Sequence, residues 1–207
     1  MNPLDINPRG RDFSAHAIEW LRNKYNFLKC PSSIYDRDEN QPIAFKTGSF
    51  PGQDGSFIEV DLNFYSDGFV ADTRSSTKDS DAFLEDLLNS LAHDFGLVYT
   101  PEMVRKKLYV SEINIRLKKP LNNVNPRMQT FIQKIMSMTG EEDIKTMEWA
   151  GLGFWWDPAS ASAQSNFQLE RVIGIPFSEQ RYYSRAPLHT ADHLQLLEEF
   201  EKIILAA

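Results

Sequence analysis

One stretch, from Ser56 to Gly96, constrains the fold of this chain more than any other. Its first half alternates apolar and polar residues with the period of two that is typical of a half-buried strand. The apolar positions of this alternation are Ile58, Val60, Leu62 and Phe64. The dipeptide Asp67-Gly68 follows, and it readily adopts the positive φ angles of a tight hairpin turn. The stretch therefore predicts two antiparallel strands joined by a short turn.

The hairpin also carries a prediction about its register. If Asp67-Gly68 is a two-residue loop, Asp61 lies opposite Arg74 on the polar side of the strands. Such an opposite-charge pair across two strands stabilises a sheet by about 0.2–1 kcal/mol. The Asp61–Arg74 pair is therefore a marker by which the register can be checked.

A helix is expected directly after the hairpin, from about Lys78 to Asp94. Ser76, Thr77 and Asp79 are available as capping residues at its start, and Gly96 suits the left-handed conformation that ends many helices. Its apolar residues recur with helical spacing, so this face should pack on the apolar side of the hairpin. These residues are Phe83, Leu84, Leu87, Leu88, Leu91 and Phe95.

The whole chain predicts an α+β fold around a mostly antiparallel sheet. We expect about six or seven strands and about four helices, with the helices packed mainly on one face of the sheet. Residues 1–207 are assigned to a single domain, in which residues 1–12 are an irregular lead. A doubly wound α/β fold is the less favoured alternative, because the Asp67-Gly68 turn enforces antiparallel pairing at the centre.

The composition limits the class of protein. The net charge is −7, which argues against a general coat for nucleic acid or anionic membrane, although a local basic patch stays compatible with it. Cys30 is the single cysteine, so an intrachain disulfide and a multi-cysteine zinc site are both excluded. No stretch has the apolar length of a membrane span. We therefore expect a cytoplasmic protein with no membrane partner.

Two later segments have unusual apolar patterns. In the stretch around Gly151 and Gly153, MEWAGLGFWWD, apolar residues occupy both odd and even positions. This pattern is typical of a central strand that is covered on both faces. The last helix, Thr190 to Leu205, has an apolar arc of about 200°. Packing on one face of a sheet requires a narrower apolar arc than this. The helix is therefore expected either to lie between elements or to meet another subunit.

The best candidate for a binding site lies near the C-terminus. Arginines and tyrosines alternate there, and these residue types bind anions and nucleic acids but are also enriched at protein interfaces. On an acidic chain we favour a protein interface over an anion site. The candidate anion- or partner-binding residues are Arg171, Arg181, Tyr183, Arg185 and His189.

A basic patch is a second candidate. The segment between positions 105 and 119 contains six basic residues and one acidic residue, Glu112, so its formal charge is +5. The helix at 79–94 has five carboxylates and no Lys or Arg, for a formal charge of −5, so the two segments could pair between copies. The basic residues are Arg105, Lys106, Lys107, Arg116, Lys118 and Lys119.

No catalytic motif is visible, and neither a metal site nor a cofactor is predicted. His189 and His193 have helical spacing, but a core or interface role is favoured over metal binding for His193. The sequence favours a non-enzymatic interaction or assembly module whose partner is another protein or itself, as a homo-oligomer. One alternative is an enzyme for a phosphorylated or nucleotide substrate, with Arg181 and Arg185 facing Glu59 and Asp61. The other is nucleic-acid binding through residues 105–119.

Overall fold

The structure is a computed structural model in which the chain divides into two compact units. Unit 1 is Met1–Lys107 and unit 2 is Leu108–Ala207. The predicted α+β class is confirmed: the described residues form four α-helices and seven strands, and these strands form two antiparallel sheets. The assignment of 1–207 to a single domain stays a prediction, and the lead at 1–12 lies outside the described residues. The structure describes residues 14–31, 41–52, 54–65, 67–139, 147–159 and 164–206.

The described part of unit 1 is a three-stranded antiparallel sheet with two α-helices. The strands are β1 (Ile43–Pro51), β2 (Phe57–Phe64) and β3 (Phe69–Thr73), in that order across the sheet. The helices are α1 (Ser14–Tyr25) and α2 (Thr77–Phe95). The predicted alternation is confirmed, because Val60 and Leu62 are fully buried.

The ends of α2 follow the predicted local chemistry. The Ser76 side chain accepts a hydrogen bond from the backbone N–H of Asp79, and Gly96 has a φ of 64°. One face of the helix packs into an aromatic core, where Tyr25 and Phe83 meet edge to face. The buried core residues of unit 1 are Leu21, Tyr25, Phe27, Phe45, Phe50, Val60, Leu62, Phe83, Leu87 and Leu91.

The predicted register of the β2–β3 hairpin is wrong by two residues. Phe64 lies opposite Phe69, and the backbone N–H of Tyr65 donates to the carbonyl of Gly68 at 2.8 Å, so Gly68 pairs with Tyr65 instead of belonging to a two-residue turn at Asp67-Gly68. Arg74 consequently pairs with Glu59, with 3.1 Å between Nε and Oε1, instead of with Asp61. A shift of two residues leaves every side chain on its predicted face, and for this reason the core is unaffected.

Unit 2 is a four-stranded antiparallel sheet with two helices. The strands are β4 (Ser111–Arg116), β5 (Gly151–Phe154), β6 (Phe167–Arg171) and β7 (Arg181–Ala186), with the order β4-β7-β6-β5 across the sheet. The helices are α3 (Pro126–Met138) and α4 (Thr190–Ala206). The buried core residues are Leu117, Leu121, Leu169, Tyr182, Leu197 and Ile204.

The sheet order of unit 2 overturns one expectation. β5 lies at the edge of the sheet instead of at its centre, and Trp155, directly after it, is 67% exposed. Helix α4, by contrast, has the wide apolar arc that its sequence predicts. Leu197 and Ile204 are buried, whereas four other apolar residues of the helix stay exposed: Leu194, Leu196, Ile203 and Leu205.

Within the described part of the chain, every helix is too short or too polar to cross a membrane.

Candidate interaction surface

The row of candidate residues on β7 faces outward. Arg181, Tyr183 and Arg185 alternate along the strand with three fully buried residues, so the extended backbone directs the three side chains to one side of the sheet. The alternate positions are Tyr182, Ser184 and Ala186. The two-residue period of an extended strand therefore accounts for the common face of the row.

The neighbouring strands extend this row into a surface. On β4, Glu112, Asn114 and Arg116 lie opposite Arg185, Tyr183 and Arg181, and all three are exposed. On β6, Gln168 and Glu170 lie opposite Arg185 and Tyr183. We call this side of the sheet the polar face. It consists of Glu112, Asn114, Arg116, Gln168, Glu170, Arg181, Tyr183 and Arg185.

The ion pairs of the polar face are long. Nε of Arg185 lies 3.6 Å from Oε1 of Glu112, and Nε of Arg181 lies 3.4 Å from Oε2 of Glu179. Both distances exceed those of good charge-assisted hydrogen bonds, and exposed pairs of this kind contribute about 0–1 kcal/mol. The guanidinium groups can therefore exchange these partners for acceptors on another molecule at small cost.

Tyr183 occupies the middle of the polar face. Burial, a hydrogen bond to Glu112 and the negative charge of that carboxylate raise the pKa of Tyr183 to about 12. The phenol therefore stays protonated at neutral pH and presents a hydroxyl group beside an aromatic ring. Such amphipathic side chains are enriched at protein interfaces.

An exposed aromatic run borders the polar face at β5. Phe154, Trp155 and Trp156 follow one another there, and all three are exposed. The ring of Trp155 lies over Gly153, because a Cβ built on this glycine would approach that ring to 2.6 Å. The sequence prediction missed this feature, since an apolar run on both parities also fits a buried central strand.

Arg171 lies apart from the other candidates. It shares the face of buried Leu169, its side chain is only 8% exposed, and it forms an ion pair with Glu148. It also donates to the hydroxyl of Tyr182 at 2.9 Å, and its guanidinium lies over the Phe177 ring. These contacts make Arg171 part of the interior of unit 2, on the side of the sheet away from Arg181 and Arg185.

The two candidate histidines have different environments. His189 lies beyond the end of β7, and its ring is 3.8 Å from that of Tyr109, centroid to centroid. His193 is fully buried, in agreement with the core role predicted for it, and its Nε2 lies 2.8 Å from Oγ of Ser184. In the part of the chain that the structure describes, no three His, Cys, Asp or Glu side chains are grouped to hold a metal ion.

The basic patch is divided between the two units. Arg105, Lys106 and Lys107 belong to unit 1, where Nζ of Lys107 lies 3.0 Å from Oδ1 of Asp81 on α2. Part of the predicted pairing between the basic and acidic segments thus forms inside one chain.

The other half of the patch, Arg116, Lys118 and Lys119, belongs to unit 2. There Lys118 pairs with Glu201 at 2.9 Å, and only Arg116 lies on the polar face.

The charged groups required by the enzyme alternative are each paired within their own unit. Glu59 pairs with Arg74, and Asp61 lies 3.2 Å from Lys46, all in unit 1. Arg181 and Arg185 belong to unit 2 and pair there with glutamates.

Comparisons of this chain with protein-family models, with curated proteins and with solved structures find no match.

Proposed function

We propose that this protein is a non-enzymatic assembly module that self-associates through unit 2. The observation that carries the proposal is the exposed aromatic run, Phe154–Trp156, beside a polar face with Arg181, Tyr183 and Arg185. Trp, Tyr and Arg are the residues that most often dominate the energy of protein interfaces. Here the arginines and Tyr183 stand on β7, and the two tryptophans directly follow β5. The strands hold such side chains in defined positions and lower the entropy cost of association.

The charges of this surface favour a second copy as the partner. Three arginines of the polar face, Arg116, Arg181 and Arg185, stand with two glutamates, Glu112 and Glu170. The surface is therefore close to neutral, although the whole chain has a net charge of −7. Two such surfaces can meet without the repulsion that two strongly acidic surfaces would experience. A cytoplasmic location is part of the same proposal, supported by the single cysteine.

Sedimentation velocity across a hundredfold range of protein concentration tests the proposal. We expect a concentration-dependent dimer at both low and high salt, because burial of apolar area resists salt whereas exposed ion pairs are screened. A strict monomer under both conditions would refute self-association.

Nucleic-acid binding is tested by the same preparation on heparin and on DNA. Retention that is abolished by moderate salt would favour the alternative in which the 105–119 segment contacts phosphates. We expect the acidic protein to pass through without retention.

A further inference from the structure

The edge of β5 opposite to β6 has backbone groups that can bind another strand. The backbone N–H of Arg171 donates to the carbonyl of Ala150 at 2.7 Å, so these two residues form a hydrogen-bonded pair. The β5–β6 pairs continue from it without a break, from Gly151 opposite Glu170 onwards. In an antiparallel ladder, hydrogen-bonded residues alternate with residues whose N–H and C=O point the other way. Gly151 and Gly153 are therefore the β5 residues whose backbone groups point away from β6. Among the described strands, β6 is the only one paired with β5.

The β5 strand has neither the charged side chains nor the proline that often protect a sheet edge. Natural edge strands carry charged side chains, prolines or bulges that discourage pairing with another chain. The opposite edge of the same sheet, β4, has Glu112 and Arg116. The β5 strand consists of Gly-Leu-Gly-Phe, with no charge and no proline.

The side chains at this edge are self-complementary in size. Gly151 and Gly153 leave the polar side of β5 without side chains, and Trp155 follows at the same parity. An aromatic side chain on a neighbouring strand commonly covers a glycine in a sheet. Within one chain the ring of Trp155 already lies over Gly153, so a second β5 strand would supply a hydrogen-bonding edge and place its own Trp155 opposite Gly151.

We propose that β5 pairs antiparallel with β5 of a second copy across a two-fold axis at Gly153. In this register Trp155 lies opposite Gly151 of the second copy, and Leu152 lies opposite Phe154 of the second copy. The outward backbone groups then form about six hydrogen bonds, and the two sheets join into one of eight strands. The inference rests on the proposed self-association and identifies the surface through which it occurs.

The first test measures dimerisation of three lysine variants by sedimentation velocity. Trp155→Lys puts a charge at the proposed interface, and we expect dimerisation to weaken at least about a hundredfold. Ile173→Lys adds the same charge at a residue that is 98% exposed in the β6–β7 connection, and it should leave the dimer unchanged. Ile203→Lys changes the exposed side of α4, the competing apolar surface, and should also have no effect.

The outcomes separate this inference from the proposed function. A wild-type protein that stays monomeric refutes both. A wild-type dimer that survives Trp155→Lys, or that is lost equally in Ile173→Lys or Ile203→Lys, refutes the β5 pairing while self-association stands. Trp155→Phe keeps an aromatic ring at the edge and should retain the dimer, and unchanged circular dichroism confirms that each variant is folded.

A distance measurement tests the register directly. A spin label at the exposed residue 150, introduced as Ala150→Cys in a Cys30→Ser background, lies three residues from the proposed axis. Its Cα should lie about 20 Å from that of its copy, because six residues of extended chain separate the two positions along the strand direction. A pair distribution centred far from this value would overturn the register, and an absent dipolar signal in a dimeric sample would overturn the pairing.

Discussion

The imidazole of His193 and the hydroxyl of Ser184 form a 2.8 Å contact in the interior of unit 2, where both side chains are fully buried. Ser184 also donates to the carbonyl of Gln168 at 3.0 Å, which leaves His193 Nε2 as the donor to Ser184. Helix α4 is thereby connected to β7 through a polar contact inside an apolar core. Buried polar groups of this kind require their partners, since unsatisfied ones cost about 1–3 kcal/mol.

We predict that His193 makes the protein sensitive to mild acid. Burial lowers the pKa of His193 below its ordinary value of 6.5. The unfolded chain therefore takes up the proton first as pH falls, so stability is complete above 6.5 and declines from there towards the folded pKa. One such group changes the free energy of unfolding by at most about 1.4 kcal/mol per pH unit.

Urea denaturation at a pH of about 7.5 and of about 5.5 measures this dependence. In His193→Leu, Ser184 keeps its bond to Gln168, and we expect the difference between the two pH values to shrink. His16→Gln is the matched control, because His16 is an exposed histidine of α1, and this variant should keep the wild-type difference between the two pH values. An unchanged dependence in His193→Leu would show that another group is responsible.

We predict that removal of the Arg171 guanidinium strongly destabilises the protein. Arg171→Met leaves the carboxylate of Glu148 without its ion-pair partner, which costs about 3–5 kcal/mol of unfolding free energy. The double variant Arg171→Met/Glu148→Gln should recover part of this loss, because the uncompensated charge is gone. Arg181→Met, at a mostly exposed arginine of the same sheet, should stay within about 0.5 kcal/mol of wild type. Equal losses for the two arginines in urea titrations would contradict this prediction.

We predict that Gly48 is required in β1 while Gly68 tolerates a side chain. A Cβ at Gly48 would lie 2.5 Å from the ring of Phe27, which is buried in the core of unit 1. Gly48→Ala should therefore destabilise by about 1–3 kcal/mol, as overpacked cores do. Gly68→Ala meets no atom within 4 Å and should be close to neutral in thermal denaturation. Matching midpoints for the two variants would argue against the close packing of Phe27 on β1.

We predict that Asp61 stabilises the hairpin far more than Arg74 does. The Asp61 carboxylate accepts a 2.7 Å hydrogen bond from the backbone N–H of Thr47 and also contacts Lys46. Asp61→Ala removes the acceptor of a half-buried N–H and should cost about 1–2 kcal/mol. Arg74→Ala removes only an exposed ion pair with Glu59 and should cost less than about 0.5 kcal/mol. Denaturant midpoints of both variants test the ranking, and a larger loss for Arg74→Ala would reverse it.

The hairpin shows how far local patterns reach. Alternation has a period of two, so it places Val60 and Leu62 on the core side in any even register. The register itself depends on where the chain turns, and the hydrogen bond between Tyr65 and Gly68 shows that the turn is shifted from the predicted position at Asp67-Gly68. For this reason the buried face was predictable, while the identity of the partner of Arg74 was not.

The candidate surface shows the same division. Arg181, Tyr183 and Arg185 were predictable as one row because they alternate on a single strand. Arg171 follows buried Leu169 by two residues on β6, so its side chain points into the unit. There its guanidinium contacts Glu148 and Tyr182. That environment is formed by residues up to 23 positions away in sequence, so the alternation of arginines and tyrosines cannot reveal it.

By itself the sequence determined the α+β class, the ends of α2, the buried face of the hairpin and the common face of the β7 row. Each of these depends on neighbouring residues, through capping, turn propensity or the two-residue period of strands. Only the tertiary structure decided the two sheets, the edge position of β5 and the burial of Arg171. Strand order and ion pairing join distant segments, and many orders satisfy the same alternation, so packing of the whole unit selects among them.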